Sequence, residues 1–345
     1  MIKNFSTFKS HLYIPGYGIR KMKDPAMFQG NNKRRKYFEG WYFKMVSADG
    51  SSILSVIPGI SLSHNGEEQH AFIQIIDGKT ANTFYYDFPI EDFAFSKERF
   101  AVRIGNNYFS ENSLVLDIQN DATSIIGSIQ MSNQVHLTNN KKKKVGIMGW
   151  YRFAPFMQCY HGVVSLNHQL TGTITMDNET YNFENGVGYI EKDWGKSMPS
   201  SWVWLQSNNF NSDKTSFMLS VANIPWLGRS FTGFLGFFLH NGTVQRFGTY
   251  TNANLVMEAS ISDTIIIIIS DKKFNYHIEA YRTQSGLLKA PVKGSMDRRI
   301  AESIDATLKL IVTDKKTNII FEENTSIAGL EIVGNIRKLV MDDKR

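Results

Sequence analysis

Two segments of this chain, AFIQIIDGKTANTFYY (71–86) and FLGFFLHNGTVQRFGTY (234–250), share one layout: an apolar strand, a two-residue turn, then an aromatic strand. Landmarks around them recur at nearly the same separation. Trp41 matches Trp204 at an offset of 163, Ser55-Val56 matches Ser220-Val221 at 165, and Asp77-Gly78 matches Asn241-Gly242 at 164. Phe84 and Tyr86 match Phe247 and Tyr250 at 163 and 164. A near-constant offset sustained from Trp41 to Tyr86 predicts two copies of one β unit. Strand-like runs at 53–57, 71–76, 83–86, 101–104, 114–118 and 125–131 are separated by turns such as Asp49-Gly50, Asn65-Gly66 and Asp77-Gly78, a meander of hairpins. Short strands expose unpaired edges, and closing each unit into a barrel removes them. The expected architecture is therefore all-β: a basic lead-in over 1–36, one antiparallel barrel over 37–196 and a duplicate over 197–345. The lead-in, with turn signals at Pro15-Gly16 and Asp24-Pro25, is expected to drape over the surface. A recurrence every four residues at Met296, Ile300 and Ile304 predicts one helix over 295–304.

Composition excludes several functions. The 345 residues allow one large or two medium domains, and 26 glycines against 8 prolines suit tight turns. The single cysteine, Cys159, permits no internal disulfide. His/Cys spacings fit no common zinc site, and no glycine-rich loop opens a helix to cradle a nucleotide phosphate. The net charge of +6 and pI near 9.1 suit contact with an anionic surface. Basic residues crowd at Arg20, Lys21 and Lys23, at Lys33, Arg34, Arg35 and Lys36, and again over Lys141–Lys144. Between Asn139-Asn140 and Val145-Gly146, the last run reads as a solvated hairpin loop, and with no RNA-binding signature beside it no nucleic-acid partner is expected. The first twenty residues lack a continuous apolar core, and the five isoleucines Ile265–Ile269 fall far short of the ~20 apolar residues that cross a bilayer. That run reads as a buried strand, and the expected protein is soluble, cytoplasmic and at most peripheral to a membrane.

The densest chemistry lies in GVGYIEKDWGKSMPSSWVWLQ (186–206). In an extended strand Glu191 and Asp193 share one face with Lys192 opposite. Pairing like charges, or drying one acid against indoles, raises a carboxyl pKa and makes it a proton donor near neutral pH. Trp202, Trp204 and Gln206 again share a face, an aromatic wall suited to a cation. The same spacing also suits a solvated strand end with Asp193 paired to Lys192 or Lys196 and the tryptophans in the core. In YFEGWYFKMV (37–46) the alternate positions Tyr37, Glu39, Trp41 and Phe43 share a face, placing a carboxylate on an aromatic stripe. Equivalent edges of two related barrels would bring Glu39, Glu191, Asp193 and the tryptophans to a common seam. His161, between Tyr160 and Gly162, suits a general base or an orienting group, whereas His168 reads as a core histidine. Cys159 lacks a third partner for nucleophilic chemistry.

FEGWYFK (38–44), GWYRFAPFMQCYHGVVSLNHQLTGT (149–173), GYIEKDWGKSMPSSWVWLQSNNF (188–210) and AGLE (328–331) together resemble the tocopherol cyclase family, whose members are related to carotenoid hydratases. The resemblance implies a pair of lipocalin-like barrels and closure of a chromanol ring. In that reaction the trisubstituted alkene of a prenylated hydroquinone is protonated and the phenol oxygen captures the tertiary cation, with no redox cofactor or metal. Carried onto these motifs, Asp193 is the expected acid with Glu191 second, and Glu39 or His161 accepts the phenolic proton. Trp41, Tyr42, Trp150, Tyr160, Trp194, Trp202, Trp204 and Gln206 are the expected contacts to a hydrophobic isoprenoid substrate. The same barrels would serve a carrier that binds without reacting, and a wetter cavity would make a hydratase.

Overall fold

The structure is a computed structural model and describes residues 13–121, 123–138, 146–155, 157–226, 228–259 and 264–339. The Lys141–Lys144 run, expected as a hairpin loop, lies outside the described residues. A seven-residue helix, α1 (Tyr17–Lys23), precedes the strands. The first sheet holds β1 (Tyr37–Val46), β2 (Ile53–Leu62), β3 (Gln69–Asp77), β4 (Thr83–Pro89), β5 (Phe93–Phe95), β6 (Ala101–Ile104), β7 (Asn107–Ser110), β8 (Ser113–Gln119), β9 (Ser124–Val135), β10 (Cys159–Met176), β11 (Glu179–Asn182) and β12 (Val187–Gly195). The second holds β13 (Trp202–Ser207), β14 (Ser216–Trp226), β15 (Arg229–His240), β16 (Thr243–Gly248), β17 (Asn254–Ala259), β18 (Thr264–Ser270), β19 (Phe274–Tyr281), β20 (Gly286–Val292), β21 (Ser295–Asp314) and β22 (Asn318–Val333).

Both sheets are antiparallel and follow one plan. Strand order is β4-β3-β2-β1-β12-β10-β9-β8-β7-β6-β5 in the first and β16-β15-β14-β13-β22-β21-β19-β18-β17 in the second. In each, the opening strand pairs with the closing strand, and the two ends of the path are consecutive in the chain, so the sheet curls back on itself as a lipocalin-like barrel. Alternation then sorts side chains by face. Trp41, Phe43 and Met45 of β1 join the interior of the first barrel, and Val203 and Leu205 of β13 that of the second. Tyr42 and Val46, with Trp202 and Trp204, face outward into a third apolar cluster built from both sheets. That cluster is the seam between the barrels.

Three expectations change. The stretch 295–304 is strand, the start of the twenty-residue β21, because a four-residue recurrence is also a multiple of two and keeps Ile300 and Ile304 on one strand face. The lead-in packs instead of draping: Tyr17, Ala26, Met27 and Phe28 are buried in the first barrel's core. Its backbone also serves that interior, with Trp41 Nε1 donating to the Ala26 carbonyl and Lys192 Nζ to those of Pro25 and Met27. Finally, Ile265–Ile269 is buried on one face only, with Ile268 39% exposed.

Candidate active site

A cavity of about 190 Å³ opens into the seam. Three of its acids come from strands that close each barrel, Glu191 and Asp193 on β12 and Glu331 on β22, and the fourth, Glu302, from the neighbouring β21. Glu191 on β12 is the Cα partner of Tyr42, and Glu331 on β22 is the partner of Trp204. These two pairs occupy corresponding places in the two barrels, and the aromatic member of each sends a bond across the seam. Trp204 Nε1 donates to Glu191 Oε2 at 3.2 Å, while Tyr42 OH donates to Oε1 of Glu302 on β21 at 2.6 Å and accepts from Ser55 Oγ at 2.9 Å. Trp202 Nε1 donates to Glu331 Oε2, and Tyr189 OH to Glu191 Oε2 at 2.7 Å.

His161 on β10 is the Cα partner of Asp193. Its Nδ1 is 2.9 Å from Asp193 Oδ1, and its Nε2 faces Glu191 Oε2 at 3.4 Å. Burial opposes protonation of the imidazole, but the charges of Glu191 and Asp193 outweigh it and hold the pKa well above the usual histidine range. The cluster thus favours the imidazolium form of His161 between Glu191 and Asp193. Their donor atoms lie within 4.8 Å of one another, so these three residues also form a set able to hold a metal ion. Cys159 Sγ donates to Asp193 Oδ1 at 3.8 Å, and burial and that neighbouring charge push the thiol well up, keeping it protonated and non-nucleophilic. His168, away from the cavity, meets Ser165 Oγ at 2.9 Å, and burial lowers its pKa to about 3.

Of the residues singled out in the sequence, Tyr42, Tyr160, His161, Glu191, Asp193, Trp202 and Trp204 line the cavity. Five others do not. Glu39 is the Cα partner of Trp194 and Trp41 that of Lys192, so all four point into the first barrel, away from the face of Glu191 and Asp193. There Glu39 is fully buried, ion-paired with Lys192 and accepting from the backbone N–H groups of Gln29 and Gly30 and from Tyr37 OH. Its work is to fasten the lead-in. Lys192 Nζ lies 4.8 Å from the ring centroids of both Trp41 and Trp194. Trp194 reaches the site only indirectly, stacked on Tyr160 with centroids 5.5 Å apart. Gln206 is buried beside Asn208. Trp150 is 58% exposed, stacked on Tyr151, which does line the cavity. The chain neighbour Trp194 therefore does not dry Asp193; adjacent residues on a strand face opposite ways.

Glu302 and Glu331 were not singled out as site residues. Glu302 lies inside the stretch read as helix, and Glu331 closes the AGLE motif. Matching GYIE of β12 to AGLE of β22, each closing a barrel, would have revealed Glu331 as the counterpart of Glu191. Burial pushes Glu302 up to about 7, and burial with the charge of Glu302 pushes Glu331 well above the ordinary carboxyl range.

The family model described as tocopherol cyclase-like matches residues 117–334. A chloroplastic tocopherol cyclase of Zea mays is 33% identical over 82 residues, 24% of this chain and 17% of that protein. A probable chloroplastic tocopherol cyclase of Oryza sativa subsp. japonica is 32% identical over 80 residues, 23% of this chain and 17% of that protein. The matched stretches thus span about a sixth of those relatives' lengths. Among solved structures, CghA superposes with a TM-score of 0.51 at 8% identity, covering 86% of this chain and 88% of that one. Kievitone hydratase from Nectria haematococca superposes with a TM-score of 0.50 at 9% identity, covering 86% and 89%. At such identities the likeness is one of fold.

Proposed function

Because the chain belongs to the tocopherol cyclase-like family, we propose that it is an acid-catalysed cyclase acting on a prenylated hydroquinone. The observation that carries this reading is the seam cavity itself, where carboxyl groups and an imidazole meet aromatic faces on a largely apolar wall. Ring closure needs a proton given to the alkene, a proton taken from the phenol and a cation sheltered in between. Tyr42, Trp202 and Trp204 offer π faces to that cation, worth about 0.5–2 kcal/mol each. Asp193, its side chain 26% exposed and anchored by His161, is the carboxylate we assign to the phenolic proton. Water must be excluded while the cation lives, since capture by water would make the product an alcohol.

Incubating the protein with farnesylhydroquinone and following product mass tests the reading. Cyclisation conserves mass, hydration adds one water, and carriage changes nothing. Hydration is the second reading, favoured by the fold shared with kievitone hydratase. Asp193→Asn is expected to lower turnover about 10²–10⁴-fold while farnesylhydroquinone still binds. Unchanged turnover would remove Asp193 from this role.

We also infer that substrate enters from a lipid surface. Trp150 and Phe153, 58% and 64% exposed, flank the cavity residue Tyr151, and exposed aromatic rings suit the headgroup region. Exposed Arg34, Arg35 and Lys36 would add attraction to anionic lipid.

A further inference from the structure

Glu302 and Glu331 are Cα partners on adjacent antiparallel strands. Both line the cavity, and they are only 1% and 9% exposed. Directly opposed side chains start from Cβ atoms about 4.5–5.5 Å apart, a spacing at which two ionised, desolvated carboxylates repel and one shared proton relieves them. Their donors are neutral groups, Tyr42 OH on Glu302 and Trp202 Nε1 on Glu331. Both bonds reach acceptor oxygens, and a hydrogen bond between the two carboxyl groups holds their shared proton at the cavity wall.

We propose that Glu331, backed by Glu302, is the acid that protonates the substrate alkene. The assignment rests on the cyclase reading above. Glu331 is the catalytic residue, being the more exposed of the two, and Glu302 is a positioning residue that acts through it.

The surroundings favour the protonated form. Glu191 and Asp193 on β12 add negative charge, offset in part by His161 on β10. Lys44 on β1 faces Glu302, but burial lowers its pKa to about 7, and its Nζ donates to the Ile327 carbonyl at 3.2 Å. Arg298 on β21 interacts with the charge of Glu331 and opposes its protonation, but its guanidinium lies 4.8 Å from the Trp202 ring centroid and donates to the carbonyls of Pro199 and Ser200. Lys289 on β20 lies over the ring of Tyr85 at 3.7 Å.

In the reaction the Glu331 O–H bond breaks as the alkene π pair forms the new C–H bond. Tyr42 and Trp202 are already aimed at the carboxylate pair that results, so no dipole must reorient. A lone pair of the phenol oxygen then forms the C–O bond to the tertiary carbon, and the phenolic proton passes to Asp193. Exchange with solvent returns both groups to their starting states. Nothing is oxidised or reduced, and the product is an isomer of the substrate.

The test uses the full chain with farnesylhydroquinone in H₂O and D₂O, and infrared spectra of the unliganded protein. The wild type is expected to place one deuterium on carbon in D₂O. Glu331→Gln should lower kcat about 10²–10⁴-fold with KM little changed. Glu302→Gln should lower it less and move the falling limb of the kcat/KM pH profile to lower pH, because removing the neighbouring charge lets Glu331 ionise more readily. A purely structural role would not shift that limb. A protonated-carboxyl band should persist at pH 7 and vanish in the double variant. Undiminished turnover by Glu331→Gln would overturn the assignment and leave the cyclase reading standing. No turnover by wild type, with the band present, would overturn the cyclase reading and leave the proton-sharing pair. Absence of the band would overturn the pair.

Discussion

His161 owes its charge to its neighbours. With 11% of its side chain exposed, it would be neutral at pH 7 if burial alone decided. Because Glu191 and Asp193 raise its pKa in the fold, its contribution to stability is complete below the unfolded value and fades as pH rises through the folded one. His161→Gln leaves two like charges facing each other with no cation between them. The expected cost is about 3–5 kcal/mol at pH 6, shrinking as pH rises through the folded pKa of His161; urea unfolding at pH 6 and at pH 9 reads it. A loss that is equal at both would show that packing, not charge, is what His161 supplies. Glu191 and Asp193 sharing a face with Lys192 opposite was legible in the sequence, since alternation is a local property. The identity of the neutral acid was not, because it depends on Glu302 meeting Glu331 across a strand pair.

At the scale of elements, the barrels are joined by short reciprocal contacts. The turn between β20 and β21 reaches the first barrel, where Ser61 Oγ donates to the Gly294 carbonyl at 2.6 Å. Gln74 of β3 brackets Lys289 of β20, donating to its carbonyl at 3.0 Å and accepting from its N–H at 2.8 Å. Gly294 has φ +93°, and a Cβ there would lie 2.0 Å from the Leu62 carbonyl oxygen and 2.6 Å from Tyr37 N. Both obstacles are backbone and cannot yield without moving β1 or β2. Gly294→Ala is therefore expected to cost about 1–3 kcal/mol, measured by thermal unfolding. A Tm within one degree or so of wild type would mean that this contact is not tight in solution. The misreading of β21 belongs to this scale too: Met296, Ile300 and Ile304 satisfy a helical and a strand period alike, and only pairing with β19, β20 and β22 decides between them.

Across the whole molecule, two barrels of one plan meet face to face, and the site belongs to neither alone. Binding to a lipid surface is read at this scale, from net charge and exposed rings together. Neutralising Arg34, Arg35 and Lys36 is expected to weaken binding to anionic vesicles about 10²-fold at low salt, at roughly 1 kcal/mol for each residue. Unchanged co-sedimentation would exclude that patch. The sequence repeat announced both barrels, but its first landmark is out of step: Trp41 and Trp204 point to opposite faces, and the seam partner of Trp204 is Tyr42, with ring centroids 5.4 Å apart. A slip of one residue inverts a strand's faces, so a repeat found by matching letters finds the units without fixing which side chains meet. By itself the sequence determined the all-β class, the duplication and the strand that carries Glu191 and Asp193, because periodicity and turn chemistry act between near neighbours. Only the tertiary structure decided that Glu39 faces inward, that His161 joins the two acids and that Glu302 and Glu331 share the cavity. Those outcomes depend on register between strands far apart in the chain and on burial, which no local pattern encodes.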